Sequence, residues 1–155
     1  MRGTINKVRQ ALLAVAVVGS LVAGGLGIIG SPAAAHTKLS PFPTCAGSEV
    51  GHYHTHGSAV SVFVNFSSAS GGTNCVWAQK QTNRGTATTM NVVLYRCSTG
   101  NPSSACNPTA LDQDPGAWQF FAGPVQLTGT AGRCIMVEVF YQGSWSPLIG
   151  PVHCG

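Results

Sequence analysis

The chain has 155 residues, of which 8% are charged, with eight Lys and Arg, four Asp and Glu, five His and a formal net charge of +4. Three of the basic residues (Arg2, Lys7, Arg9) fall near the start, so five basic residues face four acids (Glu49, Asp112, Asp114, Glu138) in the remainder. That balance excludes a nucleic-acid binder that works by charge, and the length suits one domain.

Arg2, Lys7 and Arg9 form a positive n-region, and an apolar, Gly-rich run over residues 11–29 is interrupted only by Ser20. Pro32 and Ala33-Ala34-Ala35 then supply a small-residue cleavage site. The pattern is that of a secretory signal peptide over residues 1–35, a signal helix removed after Ala35. A retained membrane anchor is the rival reading, since the run is long enough to span a bilayer. Gly24, Gly25, Gly27 and Gly30 weaken such a helix, and the cleavage site follows at once. No Arg-Arg pair points to the twin-arginine route. Cleavage leaves 120 residues, secreted and without a membrane segment.

Six cysteines (Cys45, Cys75, Cys97, Cys106, Cys134, Cys154) all follow Ala35, which suits an oxidising compartment and three disulfide bonds. Cys97 and Cys106 flank a turn-rich Ser-Thr-Gly-Asn-Pro-Ser-Ser-Ala loop that closes locally. Six cysteines allow fifteen pairings. For the other four, Cys45–Cys75 and Cys134–Cys154 are favoured. No Cys-x-x-Cys suggests redox or zinc chemistry.

Residues 36–44 contain Pro41 and Pro43 and read as an extended N-terminal segment ahead of one β-domain over 45–155. A short strand is expected over 49–54. Over 59–66, Val60, Val62, Val64 and Phe66 alternate with Ser61 and Asn65. Ser70-Gly71-Gly72-Thr73 turns the chain into 75–80, where Val76 and Ala78 oppose Cys75 and Trp77. Over 89–97, Met90, Val92 and Leu94 oppose Asn91, Val93 and Tyr95. Residues 97–116 read as one long loop. Residues 114–125 (Asp-Pro-Gly-Ala-Trp-Gln-Phe-Phe-Ala-Gly-Pro-Val) read as a central core strand with Trp118 and Phe120 on one face. A strand over 134–141 follows, then a turn over 143–147 and a last short run ending at Cys154. No stretch after Ala35 has helical periodicity. The expected fold is all-β, a small disulfide-stapled antiparallel sandwich or barrel.

His52-Tyr53-His54-Thr55-His56 is the one constellation with ligand character. On a strand, His52, His54 and His56 would share a face at roughly 6.5–7 Å spacing, within reach of a copper or zinc ion. Cleavage after Ala35 would make His36 the amino terminus. A free amine with its own imidazole and a second histidine makes a copper brace, similar to those of secreted polysaccharide monooxygenases and periplasmic copper carriers. The plainer reading is a solvated strand end, with His153 a third ligand only if the fold brings it near. Hydrolase motifs (Gly-x-Ser-x-Gly, His-Glu-x-x-His) are absent. Turn bonding accounts for Asp112 and Asp114 more simply than acid–base work.

Several pieces together resemble the spore-associated protein A family, small secreted proteins of filamentous actinobacteria. They are Cys45-Ala46-Gly47-Ser48, Gly72-Thr73-Asn74-Cys75-Val76, Gly132-Arg133-Cys134-Ile135, the terminal Cys154-Gly155 and an Asp-x-Gly-x-aromatic-x-x-aromatic-Ala-Gly-Pro-Val run at Asp114–Val125. Trp118 and Phe121 stand where Tyr is expected, Cys97 and Cys106 look like an added pair, and the histidine cluster is particular to this chain. The resemblance implies association with spores or aerial growth, no established catalysis and no active-site residues. The expected function is therefore a non-enzymatic, secreted structural or interaction protein. Its partners would be spore or cell-surface components, and it would need no cofactor. A copper- or zinc-binding protein, extending to an oxidative enzyme, using His36, His52, His54 and His56 is the alternative. A third class is a small-ligand carrier, since the Cys97–Cys106 loop ending in Asn107-Pro108 resembles that of chromoprotein antibiotic carriers.

Overall fold

The structure, a computed structural model, describes residues 40–155; the expectations for the signal peptide and for His36 lie outside the described residues. Among the described residues ten strands follow one another: β1 (Ser48–Thr55), β2 (Val60–Ser67), β3 (Thr73–Lys80), β4 (Thr88–Cys97), β5 (Pro108–Gln113), β6 (Gly116–Trp118), β7 (Phe121–Thr128), β8 (Ile135–Tyr141), β9 (Ser144–Trp145) and β10 (Ile149–Val152). Their pairings are all antiparallel. One sheet has the order β1-β2-β3-β7, and the other β10-β8-β4-β5, with β6 on β4 and β9 on β8. Among the described residues, no helix is long and apolar enough to cross a membrane.

Period-two alternation sets what lies between the sheets. Val60, Val62, Val64, Val76, Ala78, Ala122 and Val125 from the first sheet meet Met90, Val92, Leu94, Ile135, Val137, Val139 and Tyr141 from the second in one core. At about 25 cal/mol per Å² of apolar surface, each fully buried Val or Leu contributes roughly 1.5–3 kcal/mol before chain entropy is set against it. The fold is thus an all-β sandwich.

Three disulfides join Cys45 to Cys75, Cys97 to Cys106 and Cys134 to Cys154, the same pairs favoured among the fifteen possible. They indicate an oxidising environment of the extracellular type. The first ties residues 40–47 to the outer face of the first sheet. There Phe42 stacks on Trp77 at 6.0 Å, Gln79 Nε2 donates to the Pro41 carbonyl (3.3 Å) and Asn65 Nδ2 donates to the Gly47 carbonyl (3.5 Å).

Two expectations are corrected. Residues 97–116 are not all loop, because β5 pairs with β4 from Pro108 onward. Residues 114–125 are not a central strand but the crossing between sheets. β6 pairs with β4 of the second sheet, Gln119 and Phe120 bend, and β7 pairs with β3 of the first. Trp118 Nε1 donates back to the Asp114 carbonyl (3.3 Å), closing the turn, and Trp118 and Phe120 are only half-buried. Within β7, Gly123 lies at φ +93, where the register against β3 shifts. A Cβ there would sit 2.9 Å from the Val76 carbonyl oxygen and 3.1 Å from Trp77 Cα, so the Ala-Gly-Pro corner is glycine because β3 passes so close.

The edges of the sandwich are stapled by side chains. On one side, Asp112 Oδ2 accepts from the Gln126 N–H (2.8 Å) and Asp114 Oδ2 from the Gly123 N–H (2.6 Å), joining β5 and its following turn to β7. On the other, Tyr53 of β1 reaches His153 just past β10. The two carboxylates thereby satisfy backbone N–H groups of β7, which as an edge strand otherwise presents them to other chains.

Candidate functional site

β1 is an edge strand of its sheet, and on its outer face His54 is exposed while His52 is half-buried with its Nε2 shielded from solvent. His52 and His54 both lie on that face, opposite Phe63 and Ser61 of β2. The His52 ring stacks on Phe63 (centroids 4.3 Å, 24°), which stacks in turn on Trp77 of β3 (4.2 Å, 15°). His54 Nδ1 lies 3.2 Å from Ser61 Oγ. The His52 and His54 rings are 4.8 Å apart and tilted by 58°.

His56 does not join them. It begins a one-turn 3-10 segment (His56–Ser58) with φ 52, which turns the ring toward the second sheet. Its Nε2 donates to the Ser144 carbonyl (3.2 Å), its Nδ1 accepts from the Thr55 hydroxyl (3.0 Å), and its ring meets Tyr141 edge-on at 5.7 Å. The expected face of three histidines is therefore a pair plus a latch. His153 is on the other side of β1. Tyr53 is opposite Val62 and packs on the core, and its hydroxyl is hydrogen-bonded to His153 Nε2 (3.0 Å). Burial lowers the His153 pKa, which favours the neutral ring, and raises that of Tyr53. Among the described residues, no group of three His, Cys, Asp or Glu side chains is placed to hold a metal ion.

Asp112 and Asp114 spend their carboxylates on backbone N–H groups, as set out above. Sequence reasoning passed over Lys80, which ends β3 fully buried. Its Nζ donates to the Thr86 carbonyl (2.6 Å), to Thr88 Oγ1 (2.7 Å) and, at 3.4 Å, to the Trp118 carbonyl. Burial first, and nearby Arg84 second, push its pKa down. Trp118 also lines an open cleft of about 340 Å³ with Ala87, Ala117, Gln119, Phe120 and Phe121. The Arg84 guanidinium lies 5.5 Å over the Phe120 ring.

The outer face of the second sheet is the other surface that sequence reasoning missed. Register sets Met136, Tyr95 and Leu111 in one row, and Glu138, Val93 and Gln113 in the next. Phe140 lies beyond them and meets Trp145 of β9 edge-on at 5.3 Å. Glu138 is the face's one carboxylate on β8, and it accepts from the Tyr95 hydroxyl (3.3 Å). Burial and Glu138 together raise the Tyr95 pKa. Leu111 is 55%, Trp145 51% and Leu148 45% exposed. One signal was available. Trp145-Ser-Pro-Leu148 puts two large apolar residues in a turn, where no core requires them.

Comparison of the chain with protein-family models, with curated proteins and with solved structures returned no match.

Proposed function

We propose that this is a secreted, non-catalytic interaction protein that adheres to the spore or to another extracellular surface of the cell that makes it. The observation that carries the reading is the outer face of the second sheet. Leu111 beside Tyr95 and Trp145 beside Phe140 stand in solvent there, with little charge among them. Exposed apolar groups of this size on a secreted domain favour contact with another surface. Three disulfides suit a module that must last outside the cell. The partners are surface components of spores or cell walls, engaged by apolar and neutral polar contact rather than by charge.

The test mixes the purified secreted chain with washed spores and washed hyphal walls, followed by high-salt washing. Retention in the pellet is expected, with release of a Leu111→Ser/Trp145→Ser double variant whose melting temperature is unchanged. Recovery of the parent chain wholly in the supernatant would sink the reading.

A further inference from the structure

The outer face of β1 carries a second feature that surface adhesion does not use. We propose that His52 and His54 form a chelate for one transition-metal ion that prefers imidazole nitrogen, copper above zinc. Two imidazoles bound near 2.0 Å to one ion, at an angle between square and tetrahedral, hold their ring centroids roughly 4.5–5 Å apart. The two rings here are 4.8 Å apart. Residues two apart on a strand share a face, so the backbone sets this spacing without a loop to order.

The neighbours hold the rings in place. Phe63 stacks on His52 and is itself stacked on buried Trp77, so the His52 ring is packed before any ion arrives. Ser61 engages His54 at Nδ1, which directs Nε2 to the ion. A ligand histidine whose other nitrogen is held by a hydrogen-bond partner is the arrangement that tunes metal affinity. His54 is exposed and the Nε2 of His52 is buried, so an ion enters the pair from the His54 side. His56 is excluded by its bonds to Ser144 and Thr55, and His153 by its place on the opposite side of β1. With two protein donors, the remaining positions on the ion fall to water, so the site is open. Affinity follows the Irving–Williams order, copper(II) above zinc(II).

The experiment is titration of the oxidised mature chain with copper sulfate and with zinc sulfate. It is followed by calorimetry and, for copper, by electron paramagnetic resonance. Every protein in the series carries His36→Gln, so that the amino-terminal histidine does not compete. One equivalent of copper is expected, bound more tightly than zinc, with a spectrum reporting nitrogen donors. His52→Gln/His54→Gln should weaken binding at least tenfold, and Ser61→Ala roughly tenfold. His56→Gln should leave it unchanged. Thermal melts check that each variant is folded, and His52→Phe, which keeps an aromatic ring against Phe63, repeats the test if the Gln pair melts early. Copper bound equally well by the double variant, loss of binding on His56→Gln alone, or no binding by the parent would each overturn the proposal.

Discussion

The Tyr53 hydroxyl lies 3.0 Å from His153 Nε2 and bridges β1 to the end of the chain after β10. Gly51 makes room for it, since a Cβ there would sit 2.5 Å from that nitrogen. Burial holds the His153 pKa below its ordinary 6.5, so between that lowered value and 6.5 the unfolded chain binds more protons than the folded one. Stability is then complete above pH 6.5 and falls as pH drops through this window. Chemical denaturation from pH 7.5 to 4.5 should show this loss in the parent, and the difference from His153→Gln should vary with pH in that sense. Gly51→Ala should displace the ring and remove the same pH-dependent increment. A parent and His153→Gln that run parallel across the range would refute it.

Asp114 and Gly123 make the matching staple on the opposite edge. A carboxylate accepting from a backbone N–H is a charge-assisted bond, stronger than a neutral one. Asp114→Ala removes the acceptor of the Gly123 N–H and should cost about 1–3 kcal/mol, as should Asp112→Ala at Gln126. Asn at either position keeps an oxygen in place and should recover part of the loss. Urea unfolding with unchanged slope is the measurement. Alanine variants as stable as the parent would show that β7 does not depend on these carboxylates.

The sandwich was legible where one face of a strand is buried and the other is not. Val60, Val62 and Val64 or Ile135, Val137 and Val139 announce their strands because burial selects apolar residues at every second position. β5 was not legible. It is an edge strand whose side chains are mostly exposed, so Pro108, Asp112 and Gln113 carry no alternation and read as loop. Asp114–Val125 misled for the opposite reason. Its aromatics look like a core strand, yet they line a crossing between sheets, where Trp118 folds back on Asp114 and Gly123 kinks β7. In the histidine run, period two put His52, His54 and His56 on one face; it holds for His52 and His54 but fails at His56, because the left-handed φ there ends the alternation and nothing in a histidine announces it.

Lys80 should prove dispensable for stability. Its ammonium is fully buried with neutral acceptors, Thr86 and Thr88 near solvent among them, so the cost of stripping its water offsets the bonds it makes. Lys80→Met should be within about 1 kcal/mol of the parent at pH 7, or more stable. The sign with pH is also fixed. The folded pKa lies below the ordinary 10.5, so the unfolded chain holds the proton longer, and parent stability gains as pH rises through that window. Tyr53 and Tyr95, with raised pKa values, oppose this only above about pH 10. The gain should therefore be read below pH 10, as a parent-minus-variant difference. A variant destabilised by several kcal/mol would make Lys80 a required anchor instead.

The three disulfides should not be equal. In the chain-entropy account, closing the loop across the sequence separation of 9 from Cys97 to Cys106 stabilises by about 2.6 kcal/mol, and across the separation of 30 from Cys45 to Cys75 by about 3.6 kcal/mol. The second also holds residues 40–47 against the first sheet, with Phe42 on Trp77. Cys45→Ala/Cys75→Ala should thus lower stability more than Cys97→Ala/Cys106→Ala. It alone should also raise acrylamide quenching of Trp77 in the folded state, read in a Trp118→Phe/Trp145→Phe background. Equal quenching in both variants would mean that the segment stays on the sheet by packing and hydrogen bonds without its covalent tie.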